Sequence, residues 1–447
     1  MSLKDSSLLE ILSERLIKPF SPTPPSLRSY KLSRKDQMMH TRYVPRAFFY
    51  PADNNPEGKD RSSLTETETF ELLQTSLSKT LAYYYPFAGR LKNNSFVDCN
   101  DMGVQLTEAR IKCSMFEILK QENSHLKDLV FPRLFFTDVI PAECSLLIVQ
   151  VSFFNCGGVA VALCASHKVM DASTTCNFMN DWSSMARTLN DHVPTPLFNG
   201  ASLFPPIEDS KCSSNYQLKS PKPPESCITR RFLFQSAKID ELKNIAVNSS
   251  GVCNPTRYEV VTALLFRCAV AAAKANSGSF QPSMLSNTVN LRRLTVPPLP
   301  KDSVGNFLTS FPVSATIESH MKLSDLVHQI RNKKLKLHEE YNKGNDGAKD
   351  DIPSSQCAKA DHEVASERFD QFYHCSSSCG FPFYDVDFGS GKPVMVCDTN
   401  QTGAKNRFFL RDIRDGDAVE AVVTLDPTDM YFFQGNEELL AFASLNS

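Results

Sequence analysis

A surplus of charge of either sign is missing from this chain. Its 48 Lys and Arg face 50 Asp and Glu, for a formal net charge of −2. No basic field is available to hold nucleic acid or an anionic membrane. Long hydrophobic runs are scarce as well, and none is expected to reach the ~20 apolar residues that span a bilayer. The opening "MSLKDSSLLEILSERLIKP" has acids and no long apolar stretch of a secretory leader, and "FASLNS" at the close is not a peroxisomal or ER address. The expected compartment is the cytosol. No G-x-S-x-G, G-x-G-x-x-G or H-E-x-x-H occurs, which weakens serine hydrolase, dinucleotide enzyme and zincin readings. Tryptophan occurs once, at Trp182, against 31 phenylalanines. So many aromatics suit an apolar tunnel, but they suit any large core equally.

Cysteine is not scarce, at 14 residues, yet the thiols are spread over 447 positions. Reduced cysteines are expected rather than a disulfide framework. "CSSSC" (Cys375, Cys379) with His374 lacks a second ligand pair at zinc-site spacing, so no metal is expected. Single cores stop growing at roughly 250–300 residues, so the length predicts two domains.

The first half alternates helix and strand. "FELLQTSLSKTLAYYYPFAGRL" puts Leu73, Leu77, Thr80, Leu81 and Tyr84 on one helical face, ended by Pro86. Ser145–Phe154 and Val159–Ser166 read as two apolar strands joined by the turn Asn155–Gly158. "DASTTCNFMNDWSSMAR" follows as a helix with Phe178, Trp182, Met185 and Ala186 as its apolar stripe. Residues 188–225 are rich in Pro, Ser and Asn and read as a crossover between domains at 1–187 and 226–447. Beyond it come the strand "ITRRFLFQ", the helix "SAKIDELKNIAV" and an apolar helix headed by Thr256 and Glu259 in capping-box spacing. A further helix has Leu323, Leu326, Val327 and Ile330 on one face, and strands recur at "FFLRDI" and "AVEAVVTL". The polar segment "NKGNDGAKDDIPSSQCAKADHE" reads as a surface loop.

Three stretches could carry chemistry. In "ASHKVMDAST", His167 ends a buried strand and Asp171 begins a helix. A neutral imidazole on such a rigid mount can take a proton from a substrate hydroxyl. Asp171 could orient that ring, as in a triad, or simply cap the helix. In "YDVDFGSGKPVMV", the Walker spacing is absent and Pro393 follows the lysine, so the phosphate-loop reading fails. Asp387 there is a turn former or half of an ion pair. In "NTVNLRRLTVPPLPKDSVGNFL", a buried Arg292 would demand a carboxylate partner. Cys156 and Cys164 leave a thiol-dependent enzyme open as an alternative, although Cys164 lies in an apolar strand.

These pieces resemble the plant BAHD acyltransferases, which move an acyl group from a coenzyme A thioester to an alcohol or amine. The likeness runs through "IKPFSPTPPSLRSYKLSRKDQ", "SLSKTLAYYYPFAGRL", "FNCGGVAVALCASHKVMDAST", "NLRRLTVPPLP" with "VGN", and "YDVDFGSGKP". Within the family the sequence is most similar to the group with vinorine synthase, capsaicin synthase and the acylsugar acyltransferases. The resemblance implies an α/β fold of two similar chloramphenicol-acetyltransferase-like domains, each a mixed sheet flanked by helices, with a channel at their interface. It implies His167 as the catalytic base and Asp171 as a structural brace acting through an arginine. Asp387, with Gly389 and Gly391, is implied to support the site by pairing with Arg292. Thr256 and Arg257 are implied to contact the cofactor's phosphates or to stabilise that region. The partners implied are acyl-CoA as co-substrate, with no permanently bound cofactor, and a small alcohol, here expected to be a sugar ester. A monomer is expected. A silent acyl-CoA-binding relative is the alternative of another class, and intact His167 argues against it. One departure stands out: Ser390 occupies the tryptophan position of the family's D-F-G-W-G motif.

Overall fold

A computed structural model of the chain describes residues 7–52, 64–120, 125–136, 144–188, 193–207, 227–250, 252–343, 369–399, 405–414, 416 and 418–446. Two units are present. The first is Met1–Leu218, Pro300–Phe307 and Phe381–Asn400, and the second is Lys219–Leu299, Leu308–Gly380 and Gln401–Ser447.

In the first unit the strands are β1 (Leu9–Ile17), β2 (Ser29–Lys31), β3 (Tyr43–Tyr50), β4 (Arg90–Lys92), β5 (Phe96–Asp98), β6 (Val104–Ile111), β7 (Leu147–Phe154) and β8 (Val159–Ser166). The helices used below are α1 (Arg34–Met38), α2 (Glu66–Tyr83), α3 (Met115–Lys120) and α4 (Ala172–Thr188). The main sheet runs β1-β6-β7-β8-β3, with the short strand Met395–Cys397 closing its far edge against β3. It is mixed: β6 and β7 are parallel and the other neighbours antiparallel.

Strand alternation sends β3 side chains to two different cores. Phe48 and Tyr50 join α2 and α4, while Ala47 and Phe49 join α3 and the 3-10 turn His125–Val130. Burial on both faces is why β7 and β8 read as unbroken apolar runs. On the α2 and α4 side, Leu73, Leu77 and Leu81 meet Phe178, Met179 and Trp182. The Trp182 indole N–H donates to Ser76 Oγ at 3.1 Å, which satisfies the one polar atom of the buried ring.

In the second unit the strands are β9 (Ile228–Phe234), β10 (Ser283–Asn290), β11 (Leu308–Ala315), β12 (Gln371–Ser377) and, numbering Met395–Cys397 as β13, β14 (Arg407–Asp412), β15 (Val419–Leu425) and β16 (Ser444–Asn446). They form a second mixed sheet, β11-β10-β12-β14-β15-β9-β16. Helices α5 (Ser236–Ser250), α6 (Arg257–Ser277) and α7 (Leu323–Lys343) pack with it. The expected α/β architecture of two mixed sheets flanked by helices is present. By length and composition alone α6 could cross a membrane, with 67% of its apolar window buried in the unit. Arg267 and Lys274 interrupt its apolar residues.

The division of the chain differs from the sequence expectation at two segments, since Pro300–Phe307 and Phe381–Asn400 both belong to the first unit. The loop with Asp387, Gly389 and Gly391 was placed in the C-terminal domain, yet Phe381–Asn400 belongs to the first unit. Three contacts hold it there. Strand β13 pairs with β3, Tyr50 donates its hydroxyl to Val386 O at 2.8 Å, and Phe388 sits edge-on to Trp182 at 4.9 Å. Of the expected crossover at 188–225, residues 188 and 193–207 are described, and Leu197 bridges to Ser303 within the first unit. The polar loop Asn342–Glu363 lies outside the described residues apart from its first two.

Candidate active site

The site is built in the first unit from the end of β8, the start of α4, helix α1 and the tripeptide Gly305–Phe307. His167 leaves β8 with its N–H donating to Arg42 O at 3.0 Å. His167 as a residue keeps intermediate exposure, while Asp171, Asn306 and Asp36 are 2%, 1% and 0% exposed. A reachable imidazole thus stands over buried polar groups.

Asp171 is not the partner seen at the imidazole. One of its oxygens accepts the N–H of Thr174 at 2.8 Å and the other that of Phe307 at 3.1 Å. The first bond caps α4 and the second pins the tripeptide. These two described bonds both go to backbone N–H groups.

The ring nitrogen Nδ1 of His167 instead lies 3.0 Å from Asn306 Oδ1. Which end of this amide faces the ring follows from its other bonds. Asn306 Nδ2 donates to His167 O at 2.7 Å and to Asp36 Oδ1 at 2.9 Å. A carbonyl and a carboxylate can only accept, so the NH₂ end is fixed there and Oδ1 must face the ring. Oδ1 needs a donor, so Nδ1 carries the proton in the neutral imidazole and Nε2 carries the lone pair. His40 stands edge-on to the same ring, with centroids 4.9 Å apart.

The tripeptide is held by one acceptor per residue. Gly305 N–H donates to Thr174 Oγ1 at 3.2 Å, Asn306 N–H to Asp36 Oδ1 at 2.8 Å, and Phe307 N–H to Asp171 Oδ2. Gly305 has φ +122, and a Cβ there would stand 3.1 Å from Asp36 Oδ1. Both the backbone conformation and the close carboxylate call for glycine. Asp36 also closes a capping box on α1, accepting from Ser33 N at 3.0 Å and Ser33 Oγ at 2.6 Å. Burial pushes its carboxyl above the ordinary range, and these donors act against that rise.

The other sequence-derived residues have structural partners. Asp387 Oδ1 accepts the N–H groups of Gly389 at 2.7 Å and Gly391 at 3.0 Å. Both glycines have positive φ, +109 and +89, so the carboxylate folds its own loop as a turn former. Arg187 further donates to Asp387 O. Arg292 is in the second unit, buried, with its N–H and Nη1 on Asn290 Oδ1. Ser390, at the position of the family tryptophan, is exposed.

Thr256 and Arg257 are engaged within the second unit. Thr256 and Glu259 form the predicted capping box, and Arg331 clamps Glu259 at 2.6 and 2.7 Å. A carboxylate therefore already sits at this helix start, and Arg257 pairs with Asp412 at 2.7 Å. The described bonds of Thr256 and Arg257 stabilise this region of the second unit.

The thiol alternative loses support at Cys164. Cys164 is fully buried and burial drives its pKa well up, away from a reactive thiolate. Among the described residues no cluster of His, Cys, Asp or Glu could hold a metal ion. Asn306, Asp36, Ser33 and Gly305 were not picked out from the sequence. The Ser33–Asp36 spacing carries the same capping signal that identified Thr256–Glu259.

Comparison with known proteins decides the family. A model described as the Transferase family matches residues 8–440. The chain belongs to this BAHD transferase family. It is 44% identical to akuammiline synthase 1 of Alstonia scholaris, over 98% of this chain and 99% of that one. It is 36% identical to acylsugar acyltransferase 3 of Solanum lycopersicum, over 97% of each. Among solved structures, vinorine synthase matches with a TM-score of 0.79 at 30% identity, covering 98% of both chains. A BAHD protein with this equipment is an acyltransferase that takes acyl-CoA as co-substrate.

Proposed function

We propose that this BAHD enzyme transfers an acyl group from acyl-CoA to the hydroxyl of an alkaloid alcohol by direct attack, with His167 Nε2 as the base. The observation that carries the reading is the Nδ1 contact to Asn306, which leaves the lone pair on Nε2. Nε2 takes the hydroxyl proton as the oxygen forms its bond to the thioester carbonyl carbon. The tetrahedral oxyanion then expels the thiolate, which takes the proton from the imidazolium. The ester and free coenzyme A leave, and the imidazole is neutral again. No protein nucleophile is required, because the thioester is already activated. A general base of this kind is typically worth about 10²–10⁴-fold.

The acceptor class rests on likeness. The relative at 44% identity is akuammiline synthase 1, while the acylsugar acyltransferase stands at 36%. That supports an alkaloid alcohol ahead of the sugar ester expected from the sequence, which remains the second reading. The reading includes a monomer in the cytosol.

A matrix of short, branched and aromatic acyl-CoAs against alkaloid alcohols and sucrose esters, read by mass, tests it. Ester formation on the alkaloids is expected, and acylation confined to the sugar esters would overturn the acceptor assignment. In the same assay His167→Ala should lose turnover. A folded variant with near-normal turnover would sink the general-base mechanism.

A further inference from the structure

We propose that Asp36 is a positioning residue of the acyl-transfer site, holding the Asn306 amide so that His167 presents Nε2 as its bare nitrogen. This rests on His167 acting as the base, and it extends that reading to a carboxylate that makes no described contact with the ring.

Comparison with two other capping boxes, Thr65–Glu68 and Thr256–Glu259, shows what is unusual about Asp36. Thr65–Glu68 sits on an exposed helix start, where the carboxylate is solvated. In the Thr256–Glu259 box only Glu259 is buried, and Arg331 neutralises its charge. Ser33–Asp36 is buried completely, and no cation among the described residues pairs with it. Burying an unpaired carboxylate is costly, and a helix of one turn does not need it. Ser33 already caps α1, and a neutral side chain at the third position could accept the same Ser33 N–H.

What the charge does have is four donors. Ser33 N–H and Oγ–H reach Oδ2, while Asn306 N–H and Nδ2–H reach Oδ1. Two of the four come from Asn306, the residue whose other side-chain end receives the imidazole N–H. The path is Asp36 carboxylate, Asn306 Nδ2–H, Asn306 Oδ1, His167 Nδ1–H. It resembles a Ser-His-Asp arrangement with an amide inserted between acid and imidazole. The carboxylate fixes the amide's direction, and the amide fixes the tautomer. A carboxylate pulling on the NH₂ end also makes Oδ1 a better acceptor, as in other hydrogen-bond chains. Such an arrangement favours the imidazolium that forms during transfer.

Placing the charge one residue away has a structural requirement, and Gly305 meets it. Its lack of a Cβ lets Asp36 Oδ1 come under the Asn306 backbone. Lys168, next to His167, is also tied to this region, donating to Gln37 O at 2.8 Å beside Asp36 on α1.

The test reads the ring directly. Protein with ¹⁵N-labelled histidine is examined at a pH where His167 is neutral, and its signals are assigned by their loss in His167→Gln. The wild type should show Nδ1 protonated and Nε2 bare. In Asp36→Asn the tautomers should mix, and kcat should fall at least about tenfold, with the full worth of a general base, about 10²–10⁴-fold, as the ceiling. KM for acyl-CoA should stay within about twofold. Should Asp36→Asn not fold, Ser33→Ala loosens the same carboxylate and should move both readouts in the same direction. A folded variant with an unchanged tautomer and unchanged kcat per molecule overturns the proposal and leaves Asp36 a scaffold residue. So does a wild type with the proton on Nε2. The ring spectrum needs no substrate, so it stands even if the acceptor assignment fails. Retained turnover in His167→Ala would strike the base itself instead.

Discussion

Asn306 Oδ1 and His167 Nδ1 are 3.0 Å apart, and this contact fills the orienting role that the H-x-x-x-D spacing offers to Asp171. Asn306→Ala should therefore hurt chemistry more than binding. The ring loses its Nδ1 acceptor, so both tautomers become available and only one can accept the substrate proton. We expect kcat to fall about 10–10²-fold, below the full worth of a general base, with KM for acyl-CoA little changed. Asp36 keeps only one N–H on Oδ1, which adds about 1–3 kcal/mol of instability. Steady-state kinetics beside a thermal melt separate the two effects. Wild-type kcat in a folded variant would show that the contact does not orient the base.

Asp171 should behave as a brace. Asp171→Ala removes the acceptor of Thr174 N–H and of Phe307 N–H. The lost cap costs about 0.5–2 kcal/mol and the unpaired buried N–H about 1–3 kcal/mol. Activity should fall in step with the folded fraction, and Asp171→Asn, which keeps one oxygen, should recover part of both. An Asp171→Asn protein that melts like the wild type yet turns over no substrate would point to a direct role.

Sequence pattern reached the local elements because their signals are local. The β7 and β8 runs, the apolar stripe of α4 and the capping box at Thr256 need only neighbouring residues to be read. Strand β1 escaped for a physical reason. Its register shifts between Ile11 and Ser13, so the two-residue alternation changes phase and leaves Leu12 and Leu16 exposed. The active-site partners escaped because they are joined by tertiary contact alone. Asp36 and Asn306 are 270 positions apart, and Asn306 is an ordinary residue of a loop until the amide is seen between two acceptors and an imidazole. His167 was legible for the opposite reason, since the strand end that mounts it lies beside it in sequence. The resemblance supplied the family. The placement of the Asp387 loop in the first unit depends on pairing between β13 and β3, which no local pattern shows.

The Asp387 loop gives a contrast between neighbouring positions. Asp387→Ala deprives Gly389 and Gly391 N–H of their acceptor in a turn whose glycines already hold positive φ. A loss of about 1–3 kcal/mol is expected, because two N–H groups are stranded together. Ser390 is exposed, and Ser390→Trp should change stability by no more than about 0.5 kcal/mol. Paired chemical melts test both. An Asp387→Ala protein as stable as the wild type would mean that the loop holds its shape without the carboxylate.

His374 links stability to acid. It lies in β12, and burial first, then the Arg407 charge, push its pKa down to about 4. Its ring Nε2 lies 3.3 Å from Thr288 Oγ1, so the neutral ring has a polar partner. In the unfolded chain the same imidazole titrates near 6.5. Between these values the unfolded state takes up a proton that the folded state refuses. Stability from this group is complete above about 6.5 and falls as the pH drops toward about 4, after which both states are protonated. A window of roughly 2.5 units corresponds to about 3 kcal/mol as an upper order of magnitude. His374→Asn keeps a polar side chain at Thr288 and removes the titration. Its urea midpoint should therefore drop less between pH 7 and pH 4.5 than that of the wild type, even if it begins lower. Parallel pH dependence in the two proteins would show that His374 does not set the acid limit and that the carboxylates, Glu259 beside Arg331 among them, carry it instead.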